Sequence, residues 1–125
     1  MSVVYDAGML VAADRNDRAA WADHRIRLEL GLAPITTAPA VAQTSRSGRQ
    51  AQLRRLLRGC EIVPFAPDQA HEVGALLTAS ETTDVVDAHV AVLASAHHAV
   101  VITSDVDDFE RLATHLPHPI GLEHV

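Results

Sequence analysis

The chain reads as an α/β protein, a three-layer α/β/α sandwich with a central, mainly parallel sheet of four to five strands. Two observations predict it. Short β-branched runs alternate with longer helical periodicities along the chain, the pattern of strand–helix–strand crossovers. One of those runs, Ala99-Val100-Val101-Ile102-Thr103, is apolar without alternation, as expected of a strand covered on both faces. At 125 residues, with 48% hydrophobic but only 3% aromatic content, the chain is long enough for one aliphatic core, and residues 1–125 are expected to form a single domain.

The first strand is placed at Val3 to Tyr5, followed by a short helix from Gly8 to Ala13 and a polar break at Arg15-Asn16-Asp17-Arg18. A second helix is expected from Ala19 to Leu30, anchored by Trp21, Ile26, Leu28 and Leu30 and stopped by Gly31. Pro34 to Thr37 is a short extended segment, and Pro39 opens a helix that continues through Gln43. After a break at Ser45 to Gly48, Gln50 to Arg58 forms an amphipathic helix with Leu53, Leu56 and Leu57 on one face and Gly59 at its end.

Glu61 to Phe65 is the next strand. Pro67-Asp68 opens a helix that runs to about Ala79, and Ser80 to Thr83 is a loop. Thr83 or Asp84 caps a helix reaching His97. The strand Ala99 to Thr103 precedes a helix from Asp108 to His115, and Ile120 to His124 forms an edge strand.

Composition excludes several functions. No stretch is long and apolar enough to span a bilayer, and the N-terminus lacks a basic region before an apolar one, so a cytoplasmic protein is expected. Cys60 is the only cysteine, which excludes an intrachain disulfide and is read as a small buried hydrophobe. All ten basic residues are arginine, so phosphoryl-transfer sites that depend on a lysine are excluded. No glycine-rich phosphate loop and no HExxH is present, and the eight histidines are scattered and read mostly as surface residues. Ser104 has no His–Asp arrangement around it that would make it a nucleophile. The net charge of −6 argues against a protein that coats nucleic acid non-specifically. Its distribution is uneven: Arg46, Arg49, Arg54, Arg55 and Arg58 cluster, whereas acids dominate Glu81 to Glu110. The arginines are either a solvated helix face or contacts for RNA or a partner, with Arg15 and Arg18 as similar candidates.

Three aspartates stand where an α/β fold brings chain segments together. Asp6 ends the first strand, Asp105 follows the apolar one, and Asp87 lies in the first turn of an apolar helix. In open α/β sheets the carboxyl ends of strands form the site crevice. Clustered carboxylates repel one another, and a hard divalent cation is the common reason for gathering them. Asp107, two residues past Asp105, and the hydroxyl of Thr103, two before it, are placed to join them. Taken singly, each aspartate has a second reading as a helix cap or turn former. Asp84, three residues before Asp87, is either an auxiliary ligand or the helix N-cap.

The segments Tyr5-Asp6-Ala7, Val86-Asp87-Ala88-His89-Val90-Ala91 and Val101-Ile102-Thr103-Ser104-Asp105-Val106-Asp107-Asp108-Phe109 resemble the PIN-domain family, and within it the VapC-type toxins of toxin–antitoxin pairs. The resemblance covers essentially the whole chain, and the last segment is its most specific part. It implies a parallel sheet between helices and a Mg²⁺-dependent endoribonuclease, with Mn²⁺ as a substitute, that hydrolyses RNA phosphodiester bonds with a metal-activated water. It maps the acidic metal site onto Asp6, Asp87 and Asp105, with Asp107 as an extra acid and Thr103 as the associated hydroxyl. It also implies a homodimer and a cognate antitoxin protein that silences the site. Two residues depart from the family pattern. Gln43 stands where the family usually has a glutamate, and Gly8 where it often has Ser or Thr. Gln43 removes one negative charge and motivates the alternative of a weak or inactive PIN-like module that binds RNA or antitoxin without cleavage.

Overall fold

A computed structural model describes all residues, 1–125. Its core is a five-stranded, wholly parallel sheet in the order β3-β2-β1-β4-β5. The strands are β1 (Val3–Tyr5), β2 (Ile35–Thr37), β3 (Glu61–Val63), β4 (Val100–Thr103) and β5 (Gly121–His124). The seven helices are α1 (Ala7–Asp14), α2 (Arg18–Glu29), α3 (Ala38–Thr44), α4 (Ala51–Arg58), α5 (Pro67–Ser80), α6 (Val85–Ala96) and α7 (Val106–Ala113).

The helices divide between the two faces because the strands alternate their side chains. Val4 and Val101 point to the face where α5, α6 and α7 pack, through Val73, Leu76, Val90, Phe109 and Leu112 among others. Val3, Tyr5 and Ile102 point to the opposite face, against Met9 and Leu10 of α1, Ala40 of α3 and Leu53 and Leu56 of α4. The apolar run in β4 is explained by its place between β1 and β5, where both of its faces are covered.

Strand order sets the position of the site. From β1 the chain steps outward through β2 to β3, then returns across the sheet and steps the other way through β4 to β5. The reversal falls between β1 and β4, which pair through Val3–Val100, Val4–Val101 and Tyr5–Ile102. At such a switch point the connections leave in opposite directions and open a crevice at the strands' carboxyl ends.

Two sequence expectations need correction. Ile26, Leu28 and Leu30 do not anchor α2; they are 53%, 42% and 70% exposed, and the helix buries Ala20 and His24 instead. Polar bonds hold it in their place. The Tyr5 hydroxyl lies 2.8 Å from His24 Nδ1 and accepts from Arg27 Nη1 at 3.1 Å, while Arg27 Nη2 reaches Glu123 at 3.0 Å. A buried hydroxyl with two partners offsets its desolvation and ties α2 to β1 and β5. Most histidines are exposed, as expected; His24 and His89, 3% and 0% exposed, are the exceptions. Finally, α7 starts at Val106, so the turn from β4 is only two residues long and Asp105 occupies the N-cap position.

Candidate active site

Asp6 leaves the end of β1 as the N-cap residue of α1, and Asp105 leaves β4 as the N-cap residue of α7. Neither carboxylate makes the capping bond its position offers. The capping alternative therefore fails for both, and their oxygens are free for other partners. Asp84 does cap α6: its Oδ1 accepts from the backbone N–H of Asp87 at 2.9 Å. Asp87 itself stands in the first turn of α6.

One cavity of about 590 Å³ gathers these groups. Asp6, Asp84, Asp87, Asp105 and Asp108 line it, together with Gln43 from α3. Asp107 is not in its wall; it faces an adjoining depression with Asp105 and His124. The helical turn rotates Asp107 away and brings Asp108 in. Spacing from β4 had pointed to Asp107, because it assumed extended backbone where α7 has already begun. The acid that lines the cavity is Asp108, a placement recoverable only once Asp105 is recognised as the N-cap.

Thr103 is fully buried and organises the floor. Its hydroxyl donates to Asp6 Oδ2 at 2.8 Å and accepts from the backbone N–H of Asp105 at 2.9 Å. One side chain thus joins the two strand ends at the switch point. The second oxygen of Asp6, Oδ1, is buried without any hydrogen-bond partner, although the residue is only 2% exposed. A buried carboxylate oxygen left open costs on the order of 1–3 kcal/mol unless something fills it.

The electrostatics agree. Burial pushes the Asp6 carboxyl above its ordinary 3.8, against the Thr103 hydrogen bond, and the nearby Asp105 and Asp84 push in the same direction as burial. Asp87 is pushed from 3.8 to about 7, first by desolvation and then by Asp6, Asp84, Asp105 and Asp108. Hard oxygen donors, mutual repulsion and an open buried oxygen fit a Mg²⁺-like cation. The side chains line the cavity without closing into a cage of three ligands. Drawing them together raises their repulsion, which a cation offsets.

Gly8 has a spatial reason. A Cβ at this position would stand 2.8 Å from the backbone nitrogen of Ser104 and closer still to its side chain. The absent side chain lets α1 approach the β4–α7 turn, which holds Asp6 beside Asp105. Of the clustered arginines, Arg55 is structural: its guanidinium stacks over Trp21, 4.0 Å from the ring centre. Arg54 bonds the Gly48 carbonyl. Cys60 is half-buried, and burial pushes its thiol up to about 12, so it is an inert packing residue.

An open parallel sheet that collects carboxylates at its switch point defines an α/β protein with an acidic crevice. The chain belongs to the PIN-domain family, whose model matches residues 3–114. Solved structures share its fold. VapBC2 from Rickettsia felis, bound to a DNA fragment from their promoter, is 18% identical with a TM-score of 0.70, covering 100% of this chain and 99% of that one. PAE2754 from Pyrobaculum aerophilum is 19% identical with a TM-score of 0.67, covering 100% and 91%. FitAB bound to the IR36 DNA fragment is 16% identical with a TM-score of 0.66, covering 98% and 94%. No curated protein matches significantly by sequence. No helix is long and apolar enough to cross a membrane.

Proposed function

We propose that this PIN domain is the toxin of a toxin–antitoxin pair and a Mg²⁺- or Mn²⁺-dependent endoribonuclease. The carrying observation is the open, buried Oδ1 of Asp6 at the switch point, in a cavity shared with Asp87, Asp105 and Asp108. Asp6, Asp87 and Asp105 would hold the cation. Thr103 fixes the rotation of the Asp6 carboxylate and the position of the Asp105 backbone. When bound, the cation supplies Lewis acidity, which activates water and offsets charge on the scissile phosphate. Asp108 takes the role of the extra acid that the family resemblance gives to Asp107, and Asp107 serves at the rim beside Asp105. Gln43 presents an amide where another charge is usual, weakening the hold on a second cation. In this reading the protein works in the cytoplasm as a homodimer, silenced by a cognate antitoxin. Solved complexes of VapBC2 and FitAB, which share the fold, support that partner.

The test uses protein freed of antitoxin, incubated with RNA and Mg²⁺ or Mn²⁺. Internal cleavage is expected, lost with EDTA and with Asp105→Ala. RNA that stays intact with either metal, while still binding, sinks the nuclease reading and leaves the binding module that Gln43 motivates.

A further inference from the structure

The acidic cavity continues past its carboxylates. A second recess of about 290 Å³, lined by Thr82, Thr83 and Arg111, shares Asp84, Asp87 and Asp108 with it. The two form one groove with the acids at its middle. Arg15 and Arg46 stand on the wall of the first part, and Arg111 on the wall of the second. All three are exposed, and none is ion-paired; the only ion pair in the protein joins Arg27 to Glu123.

Arginines beside so many aspartates would pair if charge compensation were their role. These line the same groove as the acids without closing on them: Arg15 and Arg111 make no side-chain hydrogen bond, and Arg46 uses only Nη1, on the neighbouring Ser45 carbonyl at 2.8 Å, so most of their donors stay available. A guanidinium presents a rigid fork of N–H groups that matches phosphate oxygens. A centre that repels phosphate, with cationic groups to either side, suits a chain of phosphates better than a single one. Arg54 and Arg55 do not contribute, because neither lines the groove; they turn instead to the Gly48 carbonyl and the Trp21 ring.

We infer that the groove is a two-sided track for single-stranded RNA, in which Arg15 and Arg46 hold phosphates on one side of the acidic centre and Arg111 holds one on the other. The inference rests on the nuclease reading for its choice of RNA but concerns binding. It predicts that both flanks contribute to affinity and that neither takes part in the chemistry.

The test measures binding of a fluorescent, single-stranded 2′-O-methyl RNA of about 12 nucleotides by anisotropy, in Ca²⁺ in place of Mg²⁺ so that hydrolysis by water is not supported, from about 50 to about 300 mM salt. Each phosphate contact on a single strand contributes about 0.7 to the slope of log affinity against log salt. Arg111→Gln is expected to lower the slope by about 0.7, and the Arg15→Gln, Arg46→Gln pair by about 1.4. Arg111→Lys keeps most of the slope, because charge rather than packing carries it. On cleavable RNA the Gln variants raise KM with kcat within about twofold, the mark of uniform binding. A slope unchanged in Arg111→Gln overturns the inference, as does a fall in kcat at constant KM, which assigns Arg111 to the acids. Wild-type binding with the expected slopes but no cleavage of ordinary RNA refutes the nuclease reading and upholds the track. Cleavage with unaltered slopes does the reverse, and no binding by the wild type overturns the track and leaves the nuclease reading to the cleavage assay.

Discussion

Replacing Asp87 by asparagine should stabilise the metal-free protein at pH 8 while removing a cation ligand. Asp87 titrates near 7 in the fold against 3.8 for a free carboxyl, chiefly through desolvation and then through Asp6 and Asp84. Between these values the folded state binds more protons than the unfolded chain, so stability falls as pH rises from about 4 to about 7, and the loss is complete above that. At about 1.4 kcal/mol per pH unit the full difference corresponds to about 4 kcal/mol. Asp87 is only half-buried, however, and solvent screening reduces this to about 1–2 kcal/mol. For a domain of 125 residues that amounts to about 4–8 °C in Tm. The assay is urea and thermal unfolding of wild type and Asp87→Asn, in EDTA, at pH 4.5 and pH 8. The two proteins should nearly coincide at the lower pH and separate at the higher, with the variant more stable. Added Mg²⁺ should then stabilise the wild type more than the variant. A variant that is less stable at pH 8, or that follows the wild-type pH profile, refutes the reasoning that like charges are stored at this site.

Other substitutions probe the parts that hold the site together. Thr103→Val removes both the donor to Asp6 and the acceptor for the Asp105 N–H, and should cost about 1–3 kcal/mol in urea unfolding; a neutral result removes Thr103 from its organising role. Gly8→Ala improves helix propensity by about 1 kcal/mol but drives a Cβ against the Ser104 backbone, so net destabilisation of about 1–2 kcal/mol is expected. A rise in Tm would show that the approach of α1 to the β4–α7 turn is not tight. Tyr5→Phe deprives His24 and Arg27 of the buried hydroxyl, and should cost about 1–3 kcal/mol. Hydrogen exchange should show α2 losing protection first, because the helix buries so little apolar surface of its own; uniform loss across the sheet would argue against that polar tether.

Much of the architecture was legible before any coordinates because it depends on local pattern. The β-branched run of β4, the proline entries to α3 and α5, and the leucine face of α4 each announce their element through short-range chemistry. Gly31 stops α2 at a positive φ of 79°, as glycine readily does. Where the reading failed, the cause was tertiary. Ile26, Leu28 and Leu30 are apolar in a helix, which locally predicts burial, yet α2 is held through its own His24 and Arg27 by Tyr5 and Glu123 from two distant segments.

The aspartates mark the same division. Sequence alone determined that Asp6, Asp87 and Asp105 stand at strand ends and a helix start, and that Gln43 and Gly8 break the expected pattern. It also determined that no lysine or cysteine pair offers a competing chemistry. Only the tertiary structure decided that Asp84 caps α6, that Asp108 rather than Asp107 lines the cavity, and that Asp6 keeps an open buried oxygen. The physical reason is that identity and periodicity are local, whereas the direction of a carboxylate depends on the backbone turn that carries it. Its partners in turn depend on which strand ends the sheet order brings side by side, here β1 and β4, nearly a hundred residues apart.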